Sequence, residues 1–130
     1  MMAGNIWKYD IYDLRKFMPG SIDYFLDIGG CVGTTALLFK SICPTAKVIS
    51  LEPCRENYET MVTSAGFWDV QCYNLAIGDG KPLMFEYRHI GAHRCYAENE
   101  KQWWPKDSYF VESKSLTQLY EYFKIGGRYI

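Results

Sequence analysis

The sequence predicts an α/β fold in which helices cover a parallel sheet. Short, mostly apolar runs at 24–28, 47–51 and 70–73 have the length and composition of buried strands. Between them, residues 34–43 and 54–65 carry apolar side chains at helical spacing. Strands that alternate with helices in this way are joined by right-handed crossovers, so the three strands are expected to run parallel.

The segment before the first strand predicts an N-terminal helix. Within residues 7–18, helical spacing puts Ile11, Leu14 and Met18 on one face, and a Pro-Gly pair follows. Such a helix would cover the sheet edge; the alternative is a lid over a substrate.

After the third strand, Asp79-Gly80 is a turn signal between two apolar runs. We expect residues 75–77 and 83–87 to form an antiparallel hairpin at the margin of the sheet. A short strand at 109–112 is expected to return beside 83–87.

The last predicted element is a helix at 115–123. Ser115 is the expected N-cap residue, because its hydroxyl can accept a hydrogen bond from the first turn. Helical spacing turns four large side chains inward: Leu116, Leu119, Tyr120 and Phe123.

Composition limits the class of protein. The 130 residues are enough for one domain, and an apolar content of 48% disfavours disorder. A net charge of −1 without a basic cluster argues against a nucleic-acid surface. The five cysteines form no C-x-x-C pair, which is typical of reduced thiols in a cytoplasmic protein. With no signal peptide at the start and no apolar run near ~20 residues, no membrane segment is expected.

Three glycines follow the first strand, at Gly29, Gly30 and Gly33. Glycine permits positive φ and lets a ligand approach the backbone, and the helix that follows offers free N–H groups. The simpler interpretation is a tight turn.

Two acids end neighbouring strands. Asp27 lies in the end of the first strand and Glu52 directly follows the second. Ligands of parallel sheets bind outside the carboxyl ends of the strands, where a carboxylate can accept bonds from both hydroxyls of a ribose. The glycines and Glu52 together indicate a nucleoside-containing cofactor, whereas Asp27 has the alternative of capping the turn.

Residues 27–33, D-I-G-G-C-V-G, resemble the first motif of class I S-adenosylmethionine-dependent methyltransferases. The nearest variant is that of the FkbM-type family, D-I-G-A-N-x-G. Three later segments strengthen this resemblance: L-E-P at 51–53, N-L-A-I-G-D at 74–79 and S-L-T-Q-L at 115–119. Cys31 departs from the usual Asn, and Thr117 from the usual Asp.

The resemblance implies a Rossmann-like methyltransferase fold, of which residues 1–130 would be the N-terminal, cofactor-binding half. One domain is expected, with a lead-in at 1–23, a core at 24–77 and a hairpin, loop and helix at 78–130. Since this half lacks the strand that would pair beside the first one, self-association through an unpaired edge is expected.

The implied cofactor is S-adenosylmethionine and the implied reaction is methylation of a hydroxyl on a sugar or small natural product, without a metal. The catalytic base stays unassigned. The cofactor-binding residues that the resemblance implies are Asp27, Gly29, Gly30, Cys31, Gly33, Glu52, Asn74 and Leu75. Asn74 would bond the adenine or cap the turn.

Two other functions fit some of these features. An NAD-dependent oxidoreductase would also use Glu52, but Cys31 and Thr34 stand where the dinucleotide fingerprint requires glycines. A non-catalytic nucleoside-binding module is the other alternative. A zinc site at His89, His93 and Cys95 is disfavoured, because a glycine between the histidines argues against the helix such spacing needs.

Overall fold

The computed structural model describes residues 10, 12–87, 93–97, 100 and 106–130. Its centre is a parallel sheet of three strands in the order β1-β2-β3. These are β1 (Tyr24–Ile28), β2 (Lys47–Leu51) and β3 (Val70–Tyr73), connected by helices α1 (Thr34–Ile42) and α2 (Arg55–Ser64). The predicted mixed α/β class and all three parallel strands are confirmed.

Both faces of the sheet are covered by apolar side chains. On one face, Phe25 of β1 stacks on Phe39 of α1 with ring centroids 4.1 Å apart, and Met61 of α2 is fully buried. On the other face, Ile49 and Leu51 pack against a helix from the end of the chain. Strand β2 is buried along almost its whole length, as the middle strand of a covered sheet must be.

That last helix is α3 (Leu116–Phe123). Ser115 is its N-cap as predicted, and a reciprocal pair of hydrogen bonds with Gln118 completes a capping box. Leu119 and Phe123 are buried as expected. Leu116, the first residue of α3 after its N-cap, is 46% exposed, which corrects the prediction that it faces inward.

The predicted hairpin between 75–77 and 83–87 is wrong. Instead, β4 (Ala76–Ile77) pairs in parallel with β8 (Ser113–Lys114), and β5 (Leu83–Glu86) lies between β6 (Arg94–Tyr96) and β7 (Tyr109–Val111) in an antiparallel sheet. The expected return of the segment at 109–112 beside β5 is confirmed.

Local chemistry explains why the hairpin does not form. The Asp79 carboxylate accepts a hydrogen bond from the Lys81 backbone N–H, which forms a local turn. The Gly78 N–H donates to the Lys114 carbonyl at 3.0 Å, so the segment before the turn is bonded to β8. Gly78 lies against Ser113. A Cβ added to Gly78 would be only 2.8 Å from the Cβ of Ser113, so the absence of a side chain at Gly78 lets β8 approach β4.

Part of the predicted helix at 7–18 cannot be checked, because residues 1–9 and 11 lie outside the described residues. In the described part of that range no α-helix is present. Leu14–Lys16 form one 3₁₀ turn, Leu14 is buried and Met18 is 69% exposed. The two oxygens of Asp10 accept the N–H groups of Leu14 and Arg15, which caps a short turn instead of a longer helix.

The outer edge of β1 is partly paired by the end of the described chain. Residues 128–130 run parallel to β1: Tyr24 bridges Tyr129, and Leu26 donates its N–H to the Ile130 carbonyl at 2.7 Å. The Arg128 guanidinium also donates to both oxygens of Asp23. This segment therefore covers the edge through which self-association was expected. No helix within the described residues is long and apolar enough to cross a membrane.

Candidate functional site

Glu52 joins the two loops that follow β1 and β2. We call residues 29–33 the glycine loop and residues 52–54 the acidic loop. One carboxylate oxygen of Glu52 accepts the Cys31 N–H at 2.8 Å, and the other accepts the Cys54 N–H at 2.8 Å. The side chain is buried, so these bonds replace water and fix the loops to each other.

The charge of Glu52 is only partly compensated. Burial raises the pKa of its carboxyl group above the usual value, while the two backbone hydrogen bonds and His93 act in the opposite direction. Repulsion from Asp27 adds to the increase, so two carboxyl groups lie close together at this edge of the sheet.

Asp27 is 9% exposed, and Ser50 on the neighbouring strand donates a hydroxyl hydrogen bond to one of its oxygens at 2.8 Å. Burial raises the pKa of Asp27 despite this bond. Within the described residues no group hydrogen bonds to its other oxygen. That oxygen is free to accept from a ligand that reaches the edge of the sheet.

The three glycines have different structural roles. Gly29 has φ +77° and no atom lies within 4 Å of where a Cβ would be, so its outer face is open. A Cβ on Gly30 would collide with Ser50 and would lie 2.9 Å from Asp27 Oδ2. A Cβ on Gly33 would lie 2.7 Å from that of Ala65, so this glycine permits close contact between the glycine loop and α2.

A cavity of about 270 Å³ opens beside the glycine loop. It is slightly smaller than the ~300–1,000 Å³ of typical ligand sites, so it suits one end of a ligand. The residues that line it come from the N-terminal turn, β1, the glycine loop and α1: Tyr12, Leu14, Phe25, Asp27, Ile28, Gly29 and Thr35.

Cys31 contributes to the site through its backbone. Its φ is +52°, a conformation that Asn adopts more readily than Cys, and its N–H is the group bound by Glu52. The thiol is exposed, and burial of part of the side chain raises its pKa.

The structure places Asn74 and Leu75 behind the site. The Asn74 amide donates to the carbonyls of Glu52 and Pro53 at 2.9 and 3.0 Å, so it holds the acidic loop in position, in keeping with the capping alternative. The Leu75 side chain is buried in the core beside α3, which leaves only its backbone for a ligand.

The antiparallel sheet adds Tyr109, which the sequence did not point to, and His93 lies against aromatic side chains there. The Tyr109 hydroxyl accepts the Arg55 N–H at 2.8 Å, and burial raises the pKa of that tyrosine to about 12. His93 stacks on Tyr87, with ring centroids 4.9 Å apart, and packs against buried Phe85. The contact between Arg55 and Tyr109 joins residues 54 positions apart in sequence, which spacing alone could not reveal, whereas His93 lies within eight residues of Phe85 and Tyr87.

No group of three or more His, Cys, Asp or Glu residues in the described parts of the chain is arranged to hold a metal ion. His89, a member of the zinc site that the sequence disfavours, lies outside the described residues. Comparison with known proteins gives no match to a family model, a curated protein or a solved structure.

Proposed function

We propose that this chain binds S-adenosylmethionine at the carboxyl edge of its parallel sheet, within a Rossmann-like fold, and transfers the methyl group to a hydroxyl of a sugar or small natural product. The observation that carries the proposal is the direct link between the glycine loop and Glu52, which brings an open backbone turn and a buried acid together. The motif resemblance supplies the choice of cofactor.

The residues present fit such a ligand. Each oxygen of Glu52 accepts one N–H group and keeps a lone pair for a ribose hydroxyl. Gly29 leaves room where the ligand would approach, and Asp27 offers its second oxygen to an amino group. The cavity beside Gly29 has room for one end of a ligand, and the glycines missing from the dinucleotide fingerprint disfavour NAD.

S-adenosylmethionine supplies a methyl group activated by a positively charged sulfur. The protein would contribute mainly by positioning, which can be worth ~7–11 kcal/mol when the reacting groups are held in line. Glu52 and the glycine loop provide a rigid support of this kind, since both are tied to β1, β2 and α2 by the contacts above. Asp27 and Glu52 add negative charge that favours a cationic ligand.

Calorimetric titration with S-adenosylhomocysteine and, separately, with NAD tests the proposal. We expect binding of S-adenosylhomocysteine and none of NAD. Binding of NAD alone would favour the oxidoreductase. Binding of S-adenosylhomocysteine without methyl transfer to any of a panel of sugar hydroxyls would favour the non-catalytic module, and binding of neither would refute a nucleoside site.

Gly29→Val and Gly20→Val form a matched pair for the site itself. Both glycines have φ near +78° and open space where a Cβ would lie, so both variants carry the same backbone strain of ~1–2 kcal/mol. Gly20 lies in the turn before β1. We expect Gly29→Val alone to weaken S-adenosylhomocysteine binding by at least tenfold, and equal affinities in the two variants would remove the glycine loop from the site.

A further inference from the structure

A cavity of about 520 Å³ lies between α1 and the 3₁₀ turn that follows α2. Its walls are almost entirely apolar and include Leu37 on α1, Pro44 after α1 and Trp68 in the turn. The volume falls within the ~300–1,000 Å³ of small-molecule sites, which are lined mostly by apolar and aromatic side chains. Trp68 is 62% exposed, so its indole offers a large flat surface to a ligand.

A second cavity, of about 470 Å³, adjoins the first, because Lys40 and Pro44 line both. Among the described residues, the charged side chains that line this second cavity are those of Lys40, Lys47 and Asp69. Two cations and one carboxylate leave an excess of one positive charge. An apolar cavity that continues into a cationic one fits a molecule with an apolar body and one anionic end.

Lys40 lies where the two cavities meet, and its position is fixed. Its ammonium group donates to the Ala46 carbonyl at 2.8 Å and to the Asp69 carboxylate at 3.2 Å, and its side chain is only 14% exposed. An ammonium group has three donor hydrogens, so a third one is left for a ligand. The Asp69 side chain is 91% exposed, so a ligand carboxylate can replace it beside Lys40 with little loss of packing.

We propose that the two cavities form a binding site for an aromatic carboxylate, with its ring against Trp68 and its carboxylate against Lys40. This site lies at the edge where the strands begin, since Lys47 is the first residue of β2 and Asp69 precedes β3. Glu52 follows the last residue of β2, so about 16 Å of strand separates the two sites. The proposal therefore does not depend on which cofactor the candidate site takes.

The walls of the cavities determine the kind of ligand. A flat ring gains from contact with an aromatic side chain beyond the area that it buries. A carboxylate beside an ammonium group forms a charge-assisted hydrogen bond, which is stronger than a neutral one. 2-Naphthoate combines both groups and is the probe for the test.

The test is a titration of the full, ¹⁵N-labelled chain with 2-naphthoate, followed by NMR. We expect saturable binding with a Kd of about 1 mM or tighter, the range of small apolar ligands. The shifted amides should be those of Leu37, Ser41 and Trp68, while those of Gly29 and Cys31 at the opposite edge stay unchanged. Shifts that do not saturate, or shifts centred on the glycine loop, would overturn the site.

Trp68→Ala and Phe67→Ala form a matched pair. Phe67 lies beside Trp68 in the same turn and is 84% exposed, but it does not line the cavity. Because both side chains are exposed, neither replacement removes part of the core. We expect Trp68→Ala to weaken 2-naphthoate binding by about tenfold or more and Phe67→Ala to change it by less than about twofold. Equal affinities of the two variants would remove Trp68 from the site.

Asp69→Asn tests the anionic end of the ligand by a gain of affinity. It removes the carboxylate that competes for Lys40 and conserves the shape of an exposed side chain, so the fold is kept. We expect 2-naphthoate to bind about threefold more tightly to this variant than to the unchanged chain. Unchanged or weaker binding would refute the contact with Lys40.

Two further ligands separate the ring from the charge. 2-Naphthalenemethanol has the same ring without the charge and should bind about fivefold more weakly than 2-naphthoate; equal affinity would overturn the role of the carboxylate. Octanoate has the charge without the ring, and binding as tight as that of 2-naphthoate would overturn the role of the ring. Light scattering tests the other occupant of such a surface. A dimer that Trp68→Ala dissociates and 2-naphthoate does not would assign the surface to a second copy of the chain.

Discussion

Replacing Glu52 by glutamine changes the link between the two loops while conserving the shape of the side chain. The carboxylate accepts two backbone N–H groups, one on each oxygen. A glutamine keeps one acceptor oxygen and turns an NH₂ group toward the other backbone N–H. One hydrogen bond is therefore lost and a donor in a poorly solvated place stays unpaired.

The structure sets the size of the effect. A lost hydrogen bond to a charged group costs ~1.5–3 kcal/mol, and the remaining bond weakens when its acceptor becomes neutral. Burial disfavours the charged form of Glu52, so removing the charge returns part of this cost. We expect a net loss of ~2 kcal/mol in the free energy of unfolding, or a melting temperature lower by roughly 7 °C for a chain of this length.

Thermal and urea denaturation at pH 7, followed by circular dichroism, measures the loss. Glu59→Gln on the exposed side of α2 is the control for removing a carboxylate, and should change stability by less than ~0.5 kcal/mol. If Glu52→Gln melts within one degree of the control, the carboxylate does not hold the loops together.

Three further predictions follow from the backbone and the buried acids. Gly33→Ala should lower the free energy of unfolding by ~2–4 kcal/mol in urea denaturation, because Gly33 has a positive φ and an added Cβ would lie too close to Ala65. An unchanged free energy of unfolding would contradict the close packing. Lys124→Gly should raise the free energy of unfolding by ~1 kcal/mol, because Lys124 has φ +52° at the end of α3, a conformation that glycine adopts without strain. A lower melting temperature would contradict this prediction. The raised pKa of Asp27 means that stability falls as pH rises from about 4 through the folded-state pKa. Asp27→Asn should reduce that slope and leave the part due to Glu52, whose pKa burial also raises; stability measured from pH 3 to 8 checks it, and an unchanged slope would contradict the assignment to Asp27.

The sequence was most informative where structure depends on local pattern. The strands at 24–28, 47–51 and 70–73 were predicted at their observed bounds. A short apolar run that lies between a turn and a helix is too short for a buried helix, so a buried strand is the structure that it favours. Ser115 was recognised as an N-cap for the same reason, since its partner Gln118 lies within one helical turn.

Pairing between distant segments could not be predicted in this way. Strand β4 pairs with β8 although the adjacent β5 follows it after a turn signal, because Gly78 and Ser113 fit closely. The site shows the same limit. The acid after β2 was identified as a candidate, but its bond to the Cys31 N–H depends on how two loops meet at the sheet edge. The stacking of His93 likewise depends on a sheet that the pattern did not reveal.

The pairing of residues 128–130 with β1 has a consequence for the order of folding. It joins segments that are 105 residues apart in sequence, and closing a flexible loop of that length alone would cost ~4 kcal/mol in chain entropy. A few hydrogen bonds and an exposed ion pair cannot offset such a cost until the sheet and α3 have already brought the ends together. The outer edge of β1 is therefore completed late in folding, and the amide hydrogens of Leu26 and Ile130 belong to the first part of the sheet to open and exchange with solvent.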